Sequence, residues 1–443
     1  MHALLVPFGS AGDVYPFLGL GTELRRRGHR VTMITAGYFE DLARKAGFEF
    51  APFTSREDYL EVISHPDLWH PQRSVPLLAK RSVIPAIAMI YRLIAERYVA
   101  GETAVIAGSL ALGARVAEEK LGVPLTTIHL QPVVFRSRFE PPIHPGLGWI
   151  KKVPVALRPG IFRLMDFMVD HIYAAPLNAF RAELGLAPIK RVMDHWWHSP
   201  KSTLALFPKW FAAPQPDWPS QVRYTDFPLY DGGIVEAVAP GLQGYLDGGA
   251  PPIVFTSGSA MATGGDFFAA SAAASALLGR RAALVTKFPA QLPKPLPADV
   301  HHIDYAPFSV LLPRAAAFVH HGGIGTSAQA LRAGVPQLVA PCSYDQLDNA
   351  ARLEKLGVSV TVPRERYNAA NVAAALRALL ADPQLSARCA HCAAQFGPVD
   401  GIPATIDRVE RYWRSLSDHG QSDHGQSDHG QHQHQVRDAG RAA

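Results

Sequence analysis

Cysteine is nearly absent from this chain: Cys342, Cys389 and Cys392 are the three in 443 residues. Three thiols cannot staple a chain of this length, so a disulfide scaffold is excluded and a reducing compartment is expected. Cys389-Ala-His-Cys392 has the spacing of a redox or metal pair. No second pair accompanies it, and the Ala-rich surroundings read as a helix with incidental cysteines. No run approaches the ~18 apolar residues that a bilayer span needs. No cationic leader precedes the apolar residues 3–6, which read as a strand. The expected location is the cytoplasm, with peripheral contact at an inner-membrane surface as an alternative. No block of one charge sign occurs either. Lys and Arg number 43 against 38 Asp and Glu, a net +5 that is scattered along the chain, so no nucleic-acid footprint is read. No Asp-x-Asp pair occurs, and no metal or other cofactor is expected.

What is present is a globular composition, 48% hydrophobic and 18% charged, in a chain too long for one ordinary core. Two domains are expected. Residues 3–7 read as a buried strand, and Phe8-Gly9-Ser10-Ala11-Gly12-Asp13-Val14-Tyr15-Pro16 as a glycine-rich loop. A helix is expected over 17–27, closed by Gly28, with a second strand over 30–35. That is a βαβ unit of a Rossmann-like half. Gly-Ser-Ala-Gly-Asp is not G-x-G-x-x-G, and no acidic residue ends the second strand, so a nicotinamide cofactor is not expected. Asp13 has two readings: a helix N-cap, or a carboxylate facing a cleft at the end of the first strand. Further strands are read at 105–109 and 123–129. His129 reads as a satisfied core histidine, with an acceptor-site role as the alternative. Residues 77–98 read as a long apolar helix that Pro85 kinks or splits. From 133 to 209 many aromatics occur without regular pattern, which fits ordinary core or a greasy wall for an apolar ligand.

The first domain is expected over 1–215, a Pro- and Gly-rich linker over 216–240 and a second domain over 241–416. Residues 417–443 carry Ser-Asp-His-Gly-Gln three times and are expected to be disordered. The second half repeats the first: a strand over 252–256, then the small turn Ser257-Gly258-Ser259. Residues 315–319 form the next apolar run of note, followed by His320-His321-Gly322-Gly323-Ile324-Gly325-Thr326 and a helical segment. A strand, a glycine turn and a helix start together present free N–H groups and a positive dipole end, which suits a phosphate. The glycines alone fit any tight βα turn. The polar cluster Cys342-Ser343-Tyr344-Asp345-Gln346-Leu347-Asp348-Asn349 adds to them, because it follows the next strand, where open α/β sheets bind ligands.

The run from His320 to Asn349 resembles the donor-sugar signature of inverting GT-B glycosyltransferases of the macrolide, antibiotic and plant-secondary-product group. The Gly-Ser-x-Gly-Asp-Val-x-Pro opening fits the same family, and within it the chain resembles the rhamnolipid-forming rhamnosyltransferases. The resemblance implies an α/β GT-B fold, two Rossmann-like domains facing across a cleft, with the acceptor bound in front and the donor behind. It makes Asp13 the general base that takes a proton from an acceptor hydroxyl. Ser259, His321, Gly323, Gly325 and Thr326 would hold the donor diphosphate, Tyr305 and Ala306 the base, and Gln329 the ribose. Asp345 and Gln346 would hold the sugar, and Asn349 would fix their loop. Tyr305 reads equally as plain packing. The implied donor is dTDP-L-rhamnose, the acceptor a 3-(3-hydroxyalkanoyloxy)alkanoic acid and the product a mono-rhamnolipid. A functional link to the enzyme that makes this acceptor follows. A glutamate commonly clamps both ribose hydroxyls in uridine-sugar enzymes, and Gln329 stands in its place here, which favours a deoxyribose donor.

Overall fold

The computed structural model describes residues 1–232, 240–259, 261, 264–398 and 401–427. Two parallel sheets organise the chain. The front sheet has seven strands in the order β3-β2-β1-β4-β5-β6-β7. These are β1 His2–Val6, β2 Arg30–Ala36, β3 Glu49–Thr54, β4 Thr103–Gly108, β5 Leu125–His129, β6 Thr203–Leu206 and β7 Val222–Thr225. The rear sheet has six, ordered β10-β9-β8-β11-β12-β13: β8 Ile253–Thr256, β9 Ala282–Val285, β10 Val300–Ile303, β11 Ala317–His320, β12 Gln337–Val339 and β13 Ser359–Thr361. In both sheets the order reverses beside the first strand, which opens a crevice at the carboxyl edge. The central strands β1, β5, β8 and β11 are buried along their whole length, which is why they read as continuous apolar runs.

Three strands escape the sequence pattern. β3 is an edge strand containing Pro52, and β6 and β7 have four residues each. β7 therefore lies inside the stretch expected as linker. Residues 233–239 of that stretch lie outside the described residues, and a helix opens the rear domain at Pro240. The first helix, α1 (Ala11–Arg26), begins six residues earlier than expected and carries Pro16 inside it. Residues 77–98 are split: a π-helical turn, Ala79–Val83, precedes α2 (Ile84–Ala95), which holds Pro85 in its first turn. There the missing N–H costs little.

The long helix α3 (Arg158–Glu183) crosses the front domain. In the rear domain α4 (Ile324–Ala333) and α5 (Gln346–Lys355) follow β11 and β12. The last helix, α6 (Gly401–Ser427), returns to the front domain. Arg27 holds Asp407 at 2.6 Å, and His29 meets Glu410 at 2.7 Å. α6 runs eleven residues into the tail expected to be disordered, because the helix is already nucleated upstream. Residues 428–443 lie outside the described residues. Among the described residues no helix is long and apolar enough to cross a membrane.

Candidate active site

A cleft of about 1220 Å³ separates the two sheets' carboxyl edges. Its front wall begins with the loop after β1. Ser10, not Asp13, is the N-cap of α1, and Asp13 is the third residue of the helix. The N-cap reading of Asp13 thus gives way to the reciprocal half of a capping box. Ser10 donates its backbone N–H to Asp13 Oδ2 at 2.9 Å and its hydroxyl to the same oxygen at 3.2 Å. The second carboxylate oxygen, Oδ1, receives only Gln131 Nε2, at 3.4 Å. Gly9 makes this possible: its φ is +133°, and a Cβ there would lie 2.3 Å from Asp13 Oδ2. Burial pushes the Asp13 carboxyl above its usual range, against the hydrogen bonds from Ser10 and Gln131. A carboxylate with one oxygen held and one facing the cleft can accept a proton.

His129 is fully buried, and both ring nitrogens are used: Nδ1 meets Ser109 Oγ at 2.7 Å and Nε2 meets His198 Nδ1 at 2.8 Å. It belongs to the core, and Ser109 is what reaches the cleft from this cluster. Sequence assigns no role to Ser109 or Gln131. Their only signal is a polar residue just past a strand's carboxyl end.

On the rear wall, β11 ends at His320 and the turn runs through Gly322, whose φ is +91°. A Cβ there would stand 2.8 Å from Val339 Cγ1 and 3.1 Å from the Gln346 carbonyl oxygen. His320 is buried and structural: Nδ1 accepts the Gly322 N–H at 3.1 Å, and Nε2 lies 3.0 Å from Gln337 Oε1. His321 stands over Gly258 and Gly323, where a Cβ would come within 2.7 and 2.5 Å of its ring. Its Nδ1 is buried and has no hydrogen-bond partner. Burial lowers its pKa to about 4, so the neutral ring offers a hydrogen bond rather than a charge. Gly323 caps α4, and Gly325 and Thr326 lie in its first turn, where N–H groups lack helical partners. Ser259, exposed, lines the same part of the cleft.

Asp345 caps α5 and is linked to both the glycine turn after β11 and Asp13. Asn349 Nδ2 donates to Asp345 Oδ2 at 2.7 Å and to the Gly322 carbonyl at 2.9 Å. The Ile324 N–H also points to Asp345, so that amide of the helix start serves the carboxylate. Burial, then the charge of Asp13 facing it, pushes Asp345 up to about 7. Gln346 Oε1 accepts the N–H groups of Cys342 and Ser343 at 2.8 and 3.2 Å, so its carbonyl oxygen is committed to the turn. Farther along, Tyr305 donates its hydroxyl to the Asp231 carbonyl, and Lys287 lies 5.1 Å from its ring centre. One face of that ring is thereby occupied. Ala306 and Gln329 are buried at the cleft wall beside it.

The front wall of the cleft carries Val134, Met165, Val169, Ile172, Tyr173 and Trp197, interspersed with the paired charges of Arg136, Asp166 and Asp194. The greasy stretch is therefore both core and wall: Tyr173 and Trp197 are buried, yet they border the cleft. Tyr344, with φ at +55°, reaches across to the front domain, where its hydroxyl donates to the Leu68 carbonyl at 2.7 Å. Asp348 accepts the Ile143 N–H at 3.0 Å. Among the described residues no group of three or more His, Cys, Asp or Glu is placed to hold a metal.

Known proteins share both halves. Residues 3–139 match the glycosyltransferase family 28 N-terminal domain, and residues 283–403 the erythromycin biosynthesis protein CIII-like C-terminal domain. The chain is a GT-B glycosyltransferase. It is 29% identical over 399 residues to the O-mycaminosyltylonolide 6-deoxyallosyltransferase of Streptomyces fradiae, covering 88% of this chain and 92% of that one. Among solved structures, the glycotransferase of kitacinnamycin superposes with a TM-score of 0.69 at 22% identity, over 93% of this glycosyltransferase and 99% of that chain. The spinosyn rhamnosyltransferase SpnG, complexed with thymidine diphosphate, does so with a TM-score of 0.66 at 18% identity, over 93% and 100%. The rhamnolipid-forming branch is not among these proteins.

Proposed function

We propose that this glycosyltransferase moves L-rhamnose from dTDP-L-rhamnose to the hydroxyl of a 3-(3-hydroxyalkanoyloxy)alkanoic acid, giving a mono-rhamnolipid. The observation that carries the reading is one cleft with three walls of different chemistry: a buried carboxylate, a helix start beside a partnerless imidazole, and an apolar flank. The acceptor oxygen forms its bond to the anomeric carbon as the bond to dTDP breaks. Asp13 Oδ1 takes the hydroxyl proton, and dTDP leaves with the electron pair. A single displacement of this kind inverts the anomeric centre. The raised pKa of Asp13 brings its basicity closer to that task.

The amides of Gly323, Gly325 and Thr326, with His321 and Ser259, supply donors where charge builds on the leaving diphosphate. No metal or other cofactor enters this reading. Tyr305 offers its ring to the base, and Ala306 its backbone. Gln329 serves a ribose with one hydroxyl, a donor class that the thymidine diphosphate complex of SpnG supports. Asp345 and the Nε2 of Gln346 take the sugar hydroxyls. The acceptor's two acyl chains fit the flank of Met165, Val169 and Ile172. An enzyme that esterifies two 3-hydroxy acids must supply that acceptor. Leu157, Leu164 and Phe167, between 60% and 70% exposed on α3 and just before it, lie near Lys151 and Lys152. That surface supports peripheral contact with an anionic membrane.

A second reading has support of its own: the Streptomyces fradiae relative is named for another acceptor, O-mycaminosyltylonolide. Mass spectrometry of products from dTDP-L-rhamnose, offered with the hydroxyacyloxy acid or with O-mycaminosyltylonolide, separates the two. Glycosylation of O-mycaminosyltylonolide alone, or a strong preference for UDP-sugars, refutes the first.

A further inference from the structure

We propose that Ser109 is an obligate hydrogen-bond donor in the acceptor subsite, fixed in that sense by a relay that begins at Trp197, and that it selects acceptors bearing a carbonyl oxygen beside the attacking hydroxyl. The relay has three links. Trp197 Nε1 lies 3.0 Å from His198 Nε2, His198 Nδ1 lies 2.8 Å from His129 Nε2, and His129 Nδ1 lies 2.7 Å from Ser109 Oγ.

An indole N–H can only donate. His198 Nε2 must therefore accept, and a neutral His198 carries its proton on Nδ1. That proton is shared between His129 Nε2 and the Asp194 carbonyl oxygen, so the His129 proton is also on Nδ1 and goes to Ser109 Oγ. Both rings are neutral: burial takes His129 well below its usual range and His198 to about 4. With its oxygen accepting from His129, the Ser109 hydroxyl proton has to point elsewhere. No protein acceptor for it occurs among the described residues, and Ser109 lines the cleft. The three buried members are each at most 8% exposed, so the directionality is built into the core.

The placement suits the acceptor. Ser109 follows β4, which pairs with β1, the strand whose loop carries Asp13. A Cβ on the adjoining Gly108 would lie 3.6 Å from the Phe8 amide nitrogen. The relay thus ends at the strand end next to the loop that carries Asp13, and both line the same cleft. In a 3-hydroxyacyl ester the hydroxyl and the carbonyl oxygen lie two carbons apart along the chain. One donor can hold the carbonyl while Asp13 receives the hydroxyl proton. The donor sense of Ser109 stands on the relay's geometry and on the neutrality of its two buried rings, and the carbonyl as its target rests on the acceptor proposed above.

Two measurements test this. The first compares kcat/KM for a 3-hydroxyacyl ester and for a secondary alcohol of equal chain length. The preference for the ester should fall roughly 10- to 100-fold in S109A and persist in S109T. An unchanged preference in S109A overturns the carbonyl assignment. The second is nitrogen-15 NMR of the full chain labelled at histidine, near neutral pH. His129 and His198 should both be neutral and protonated at Nδ1, and W197F should release that tautomer. A proton on Nε2 of His129 overturns the relay whatever acceptor the enzyme uses, which separates this result from any failure of the substrate assignment.

Discussion

Two carboxyl groups, both raised by burial, face each other across the cleft, and their different partners separate their roles. Asp13 is held on one oxygen by Ser10 and turns the other to the acceptor side. Asp13→Asn keeps the shape and removes the proposed base. Turnover should drop roughly 100-fold or more while dTDP affinity stays within about twofold, read by rapid-quench kinetics and calorimetry. A near wild-type rate would leave Asp13 as a helix-start residue only. Asp345, pushed up to about 7, is linked to stability with a definite sign. A raised carboxyl keeps its proton in the folded state at pH values where the unfolded chain has lost it. Its contribution is therefore present below about pH 4 and lost as pH rises through 7. Asp345→Asn should raise Tm relative to the parent more at pH 8 than at pH 5. An equal shift at both would show that Asp345 is not the titrating group.

At the scale of elements, the turn after β11 depends on glycine at Gly322, where positive φ and close approach to Val339 and the Gln346 backbone coincide. Gly322→Ala should cost about 1–3 kcal/mol, measured by denaturant unfolding. It should also weaken dTDP binding more than Asp13→Asn does, because the turn positions the start of α4. Gly325 differs: a Cβ there meets no protein atom within 4 Å. Its lack of a side chain leaves room in the cleft and plays no part in packing. The Asn349 side chain, which joins the Gly322 carbonyl to Asp345, makes β11's turn and α5 one mechanical unit. Sequence could place each element but could not show this tie.

At the scale of the whole molecule, α6 fastens the rear domain to α1, while Tyr344 and Asp348 fasten the opposite side of the cleft. The two domains are therefore held on both flanks, which suits a reaction that must exclude water. Tyr344 adopts the left-handed backbone region to make its contact, a strain that the packing of Trp69 against its ring offsets. The surface contributes as well. With Leu164 and Phe167 changed to Glu, the protein should lose co-sedimentation with phosphatidylglycerol vesicles and keep its activity on a short, water-soluble acceptor. Retention on the vesicles would remove this face from the proposed membrane contact.

The amino-acid sequence alone determined the two Rossmann-like halves, because buried parallel strands are short apolar runs closed by glycine turns. It also marked the turn after β11 and the loop after β1. It did not reveal β3, which carries a proline, or β6 and β7, which have only four residues each. Nor did it show that Ser10 rather than Asp13 caps α1, or that His321 is neutral. It missed the relay from Trp197 to Ser109. Those outcomes were decided by tertiary structure, because burial sets the charge of a side chain and long-range packing chooses its partners. Residues 129 and 198 meet only when β5 and the segment before β6 lie side by side.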